Sequence, residues 1–317
     1  MSNRSIPLVD LSSFVNGDEA QKQAFVEALG KAFHEVGFVG VINHQVPKDL
    51  IDGFYASSKA FFSLPVDVKR KYEIEGLAGQ RGYTSYGKEH AKQSAVADLK
   101  EFYQIGQYVS DDHPLKHEYP TNPTVTEIEG FSDYSQKLYK AFEEAGAHLL
   151  RAIALYLGLD EAYFAEKIKD GNSILRTIHY PPITEEPRSA IRAEQHEDIN
   201  LITLLVGASA GGLQLLNSQG EWLDIVPEAD EIVINVGDML QRLTNNYLVS
   251  TTHRVVNPPR ELWHVPRLSI PFFLHPKSSM DLTCLPATVT EERPLAYESI
   301  TAGDYLNERL REIGLKK

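Results

Sequence analysis

The sequence predicts a mixed α and β chain in which a helical N-terminal region packs on a jelly-roll β core, followed by a C-terminal helix. Three observations carry that prediction. From Ser173 to Pro276, short β-type runs recur, parted by Gly, Pro and Asn. Strands of that length and spacing build an antiparallel barrel or sandwich, not a βαβ sheet. Ahead of them apolar residues recur with the helical period, and no internal repeat or low-complexity tract intervenes.

Taken in order, Arg4 to Asp10 reads as an edge strand. Gln21 to Val36 sets Phe25, Leu29, Phe33 and Val36 on one helical face, and Phe38-Val39-Gly40-Val41-Ile42 follows as a strand. Pro47 opens an amphipathic helix carrying Leu50, Phe54 and Phe61, which ends near Pro65. Gly76 to Ala95 has four glycines and little apolar period, so it reads as a long loop of the kind that serves as a lid. A long helix is predicted from about Glu127 to Leu157, with a stripe through Phe131, Leu138, Phe142, Leu149, Ile153 and Tyr156. Gly158 closes it. After a short helix ending near Gly171, β-type runs fall at 173–180, 196–206, 211–216, 221–226, 231–236, 247–256 and 267–274. Leu306 to Leu315 reads as the terminal helix. The chain thus divides into an N-terminal region, 1–120, and a second part, 121–317, that holds the long helix, the jelly roll and the last helix.

The formal charge of −13 argues against a nucleic-acid partner, which needs basic stripes to displace counterions. Cys284 stands alone, so no internal disulfide and no cysteine cluster can form, as suits a reducing, cytoplasmic setting. The N-terminus lacks the apolar core of a signal peptide. Ile199 to Gly220 is uncharged but carries Asn200, Asn217 and four glycines, so buried strands explain it better than a membrane span. No obligate protein partner is implied.

The chemistry concentrates in His196-Glu197-Asp198. On a strand, residues i and i+2 share a face, so His196 and Asp198 are expected to project together into the barrel. His253, on a later run, offers a third ligand. Two histidines and one carboxylate on one face leave the opposite positions open, as non-haem Fe(II) oxygenases require. The tripeptide alone is weak, since about 0.6 are expected by chance in a chain of this composition. Its context strengthens it. Arg267-Leu268-Ser269 places an arginine inside an apolar strand, which is costly unless the guanidinium meets an anion. Arginine's fork suits a carboxylate, and the nearby hydroxyl adds a donor.

With these residues together, the sequence resembles the isopenicillin N synthase-like branch of the 2-oxoglutarate/Fe(II)-dependent oxygenases over nearly its whole length. The resemblance runs through Ile6-Pro7-Leu8-Val9-Asp10-Leu11, Val36-Gly37-Phe38, Asn43-His44, Tyr180-Pro181-Pro182, His196-Glu197-Asp198 and Gly211-Gly212-Leu213-Gln214. It continues through Trp222, Asn235-Val236-Gly237-Asp238, Ser250-Thr251-Thr252-His253-Arg254-Val255 and Arg267-Leu268-Ser269. It implies a double-stranded β-helix, with His196, Asp198 and His253 as iron ligands. Arg267 and Ser269, helped by Tyr180, would hold the distal carboxylate of 2-oxoglutarate. The implied activity is a dioxygenase that consumes dioxygen and 2-oxoglutarate, releases succinate and carbon dioxide, and oxidises, by default hydroxylates, an aliphatic C–H of a small molecule.

Two departures stand out. The family's usual Asn-His-Gly reads Asn43-His44-Gln45, which alters a turn. Ile178 stands where plant members often carry Asn, which removes one polar contact to the cosubstrate. Arg176 shares a face with Tyr180 on a regular strand and would line the pocket; a surface or salt-bridged arginine is the competing reading, since one bulge reverses its face. Phe273 shares the face of Arg267 and Ser269 by even spacing. In the lid, Arg81 is basic among aromatic residues. Arg81 and Phe273 together point to a small, carboxylate-bearing substrate. Three alternatives stay open: an oxidase of the same scaffold that does not use 2-oxoglutarate, a non-catalytic binding module, and a metal-dependent hydrolase. Other motifs fail. His113 and His117 flank a proline-bearing turn, no GxGxxG or GxSxG stands in place, and Lys69-Arg70-Lys71 reads as a solvated helix face.

Overall fold

A computed structural model describes residues 5–77, 79–89, 96–228 and 230–312. The helical region supplies α1 (Leu11–Val15), α2 (Glu19–Glu35), α3 (Lys48–Phe62), α4 (Val66–Arg70), α5 (Phe131–Tyr156) and α6 (Ala165–Ile168). With it come four strands, β1 (Leu8–Asp10), β2 (Phe38–Ile42), β3 (Gly82–Thr84) and β4 (Glu101–Gly106). The core adds β5 (Ile174–Tyr180), β6 (Ala193–His196), β7 (Ile202–Val206), β8 (Leu213–Leu216), β9 (Trp222–Asp224), β10 (Ile232–Val236), β11 (His253–Val255) and β12 (Arg267–Leu274). Helix α7 (Asp238–Leu243) follows β10, and α8 (Ala302–Glu312) comes last. Two sheets form the jelly roll: an eight-stranded one, β1-β2-β10-β7-β12-β5-β4-β3, and a four-stranded one, β6-β11-β8-β9.

Local chemistry explains the helical layer. Asp18 and Gln21 cap α2 reciprocally, each side chain accepting from the other's backbone N–H at 2.9 Å. The predicted stripe of α5 is buried through Phe131, Leu138, Phe142, Leu149 and Ile153. Gly146 lets that helix approach the large sheet, because a Cβ there would come within 2.2 Å of Leu274. Phe142 stacks on Phe272 of β12 at 5.4 Å. The helices therefore back the large sheet and leave its other face to the smaller one.

Three departures from the sequence reading bear on the site. The run 196–206 is two strands: β6 belongs to the small sheet and β7 to the large one, and the chain crosses between them at 197–201. Strand β4 went unpredicted because Glu101 and Gln104 break its apolar pattern, yet all six residues are buried. Glu101 is accommodated there by Lys69 and His179, each at 2.7 Å. Strand β3 lies within the predicted long loop. Arg4, residues 78 and 90–95 of that loop and 313–315 of the predicted terminal helix lie outside the described residues. The regions 1–120 and 121–317 share one sheet, since β2 pairs with β10 and β4 with β5. No helix among the described residues is long and apolar enough to cross a membrane.

Candidate metal and cosubstrate site

His196 ends β6 and lies directly opposite His253 of β11, with ring centroids 4.4 Å apart. Asp198 is not on the strand with His196. It sits in the crossover to the other sheet, so the expected i, i+2 strand geometry is not what joins the pair. The crossover is fixed from outside: the Asp238 N–H at the start of α7 donates to the Asp198 carbonyl at 2.7 Å. The three side chains converge regardless, with one donor atom from each lying within 4.8 Å of the others.

Their remaining polar atoms are committed to protein. His196 Nδ1 lies 2.7 Å from the Glu194 carbonyl and His253 Nδ1 lies 3.1 Å from that of Thr251. A carbonyl only accepts, so each Nδ1 carries the proton and each Nε2 presents a lone pair. Asp198 Oδ2 accepts from Thr203 Oγ1 at 2.6 Å and Asn235 Nδ2 at 2.8 Å. Asp198 Oδ1 is left facing the imidazoles, 4.0 Å from His196 Nε2 and 3.8 Å from His253 Nε2. Burial raises the pKa of Asp198, but the two imidazoles and these hydrogen bonds outweigh it and hold the carboxyl below its usual range. Burial first, then His253, pushes His196 down to about 4, which keeps its ring neutral. Two imidazole nitrogens and one carboxylate oxygen in this arrangement can hold a divalent metal.

The triad opens on a cavity of about 1060 Å³ between the sheets. At one end lies Arg267, 2% exposed, paired in register with Tyr180 of β5. Its Nε donates to the Ala210 carbonyl at 3.1 Å, its Nη1 to Ser269 Oγ at 3.3 Å, and its Cζ sits 5.0 Å from the Tyr180 ring. No carboxylate among the described residues pairs with it. Even spacing along β12 brings Arg267, Ser269, Phe273 and also His275 to the cavity wall. Ile178, Tyr180 and Arg176 line the same wall from the neighbouring strand β5.

Arg176 sits against two aromatic rings, its Cζ 4.2 Å from the Phe102 centroid and 5.4 Å from that of Phe273. Its Nε donates to Gln104 Oε1 at 2.7 Å and its Nη1 reaches Glu89 at 3.3 Å. Arg81 goes elsewhere: it is 1% exposed, a Cβ on Gly106 would strike its guanidinium, and Tyr108, Tyr119 and Tyr139 surround it. It is not among the lining residues of the cavity.

Sequence reading missed several lining groups. Lys100 lies 2.8 Å from both Glu89 and Asp98, and with Arg176 it holds the Glu89 carboxyl well down, at about 2, against the effect of burial. Nothing in the sequence marks Asp98-Leu99-Lys100-Glu101, where charged residues interrupt any apolar pattern. His275 is buried, its Nδ1 has no hydrogen-bond partner among the described residues, and burial pushes it down to about 4. Thr203 had no signal beyond a polar residue within an apolar strand, and Asn235 stands in the motif Asn235-Val236-Gly237-Asp238 with no role assigned to it.

Comparison with known proteins agrees with this architecture. The model described as "non-haem dioxygenase in morphine synthesis N-terminal" matches residues 6–127, and that of the 2OG-Fe(II) oxygenase superfamily matches 171–276. The proline hydroxylase buaE of Petromyces alliaceus is 33% identical, over 95% of this chain and 97% of its own. A 2OG-Fe(II) oxygenase family protein from Caulobacter crescentus superposes with a TM-score of 0.89 at 42% identity, covering 98% of this chain and 99% of that one. A full-length Neurospora crassa protein solved in complex with alpha-KG gives 0.86 at 32% identity, with 98% and 97% covered. The chain belongs to the 2OG-Fe(II) oxygenase superfamily. It is a 2-oxoglutarate-dependent dioxygenase whose cofactors are Fe(II), 2-oxoglutarate and dioxygen.

Proposed function

We propose that His196, Asp198 and His253 bind the iron. In this reading Arg267, Ser269 and Tyr180 hold the distal carboxylate of 2-oxoglutarate, and the enzyme hydroxylates an aliphatic C–H of a small molecule lodged against Arg176 and Phe273. The observation that carries the reading is the commitment of the other polar atoms of the triad: both Nδ1 atoms and Asp198 Oδ2 are bonded to protein, leaving three free donors face to face. That set suits Fe(II) and leaves the cavity side open for exchangeable ligands. Iron and 2-oxoglutarate supply the oxidising power when bound, with succinate and carbon dioxide as co-products. The chain's own groups do the rest. Arg267 neutralises one end of the cosubstrate, the sheets exclude water, and the Arg176 wall orients the carbon to be oxidised.

A carboxylate-bearing substrate remains the first reading, with Arg176 in the part that Arg81 was expected to play. Arg176 is the arginine that packs against Phe273 in the cavity. A second reading is a planar ring with carbonyl oxygens, supported by the Phe102–Arg176–Phe273 cluster and by the complex of the Neurospora protein, 32% identical to this chain, with alpha-KG and thymine. The lone, buried Cys284 fits a reducing, cytoplasmic setting. The test is an anaerobic Fe(II)/2-oxoglutarate complex offered carboxylic acids and ring lactams, with succinate and hydroxylated product measured after oxygen is admitted. Product formed without succinate would replace this reading with a 2-oxoglutarate-independent oxidase. Turnover retained by His253→Ala would remove the metal assignment.

A further inference from the structure

Arg192, just before β6, is 1% exposed and plays no part in the metal triad. Its Nη2 donates to the Val265 carbonyl at 2.9 Å, and its Nε has no partner among the described residues. Its Cζ lies 6.0 Å from the Tyr180 ring, and the Cζ of Arg267 lies 5.0 Å from the same ring. Tyr180 therefore has two desolvated guanidinium groups about it. Among the described residues neither of them forms an ion pair, whereas the buried lysines Lys69 and Lys100 each lie 2.7–2.8 Å from a carboxylate. Two like charges buried without a counter-charge destabilise each other, and an anion bound beside Arg267 offsets the repulsion for both. Arg267 contributes to holding the pKa of Arg192 down to about 10, second to burial.

We propose that Arg192 is a positioning residue for cosubstrate selection: together with Arg267 it makes this end of the cavity doubly positive, so that a 2-oxo acid with a second carboxylate is favoured over one without. Arg192 acts through Tyr180 and through its charge, since it does not line the cavity. The inference rests on the reading that Arg267 receives the distal carboxylate.

The test is calorimetric binding to the Mn(II)-loaded protein of 2-oxoglutarate and of 2-oxobutyrate, which keeps the metal-binding end but lacks the distal carboxylate. Wild type is compared with Arg192→Gln, Arg192→Lys and Arg267→Met, and each metal-free protein is melted in parallel. Removing one unscreened charge at this range should weaken 2-oxoglutarate about tenfold in Arg192→Gln. Binding of 2-oxobutyrate should stay within about twofold, because no charge–charge contact is lost there. Arg192→Lys should restore most of the affinity, and metal-free Arg192→Gln should melt no lower than wild type. Equal weakening of both acids, unchanged 2-oxoglutarate binding in Arg192→Gln, or a lowered melting temperature as its only change would overturn the proposal. If Arg267→Met leaves 2-oxoglutarate binding intact, the underlying reading fails; if it weakens binding while Arg192→Gln does not, only the present inference fails.

Discussion

Replacing Thr203 with valine removes one hydroxyl and almost nothing else. That hydroxyl donates to Asp198 Oδ2 at 2.6 Å and accepts from Asn200 Nδ2 at 2.9 Å. It is 3% exposed, so no water replaces it readily. A hydrogen bond to a buried carboxylate contributes about 1.5–3 kcal/mol, and about 1.4 kcal/mol corresponds to a factor of ten in an equilibrium constant. Asn235 still holds Oδ2 at 2.8 Å, so the lower half of that range applies, giving about a tenfold loss of metal affinity. The assay is competitive titration of Co(II) or Fe(II) under anaerobic conditions, with Thr203→Ser as the control that restores the bond. An unchanged metal affinity in Thr203→Val, at unchanged folding, would refute the claim that this hydrogen bond aims Oδ1 at the metal.

Three further outcomes follow from the packing. Gln45 has φ +65, a left-handed conformation that costs a side-chain-bearing residue about 1 kcal/mol, so Gln45→Gly should raise stability to urea by about 0.5–1 kcal/mol; a loss would mean its hydrogen bond to the Asn43 carbonyl matters more than the strain. Gly30→Ala inverts the usual helix preference: a Cβ would lie 2.1 Å from the Tyr156 ring, so about 2 kcal/mol should be lost where an open helix would gain about 1. Glu143 is raised to about 7, chiefly by burial. Because its folded pKa exceeds the unfolded value, its neutral form is fully tolerated below about pH 4.5 and stability falls as pH rises through about 7, by up to about 3 kcal/mol. Glu143→Gln should flatten that decline in thermal melts between pH 5 and 8, and parallel curves would contradict the assignment.

Much of the fold was legible because burial leaves a periodic trace. The β2 strand, the α5 stripe and the even spacing of Arg267, Ser269 and Phe273 were read directly from apolar pattern. What failed was whatever the pattern does not encode. His196 and Asp198 looked like one strand, yet a sheet-to-sheet crossover separates them, and a crossover carries no periodic signature. Arg81 reads as a substrate contact because it is a cation among aromatic residues in the lid loop. Gly106 opens the space that buries it among tyrosines. The Lys100 wall and Arg192 escaped notice because a paired or deliberately unpaired buried charge is defined by partners distant in sequence.

The central claim is that one metal, held by three specified atoms, couples 2-oxoglutarate to substrate oxidation. It is tested most directly by anaerobic Fe(II) titration in the presence of 2-oxoglutarate, following the visible charge-transfer band, for the wild type and for Asp198→Ala, with succinate counted after oxygen is admitted. The expected result is one Fe(II) per chain, a band that Asp198→Ala abolishes, and one succinate per product. A band of undiminished intensity and affinity in Asp198→Ala would contradict the account.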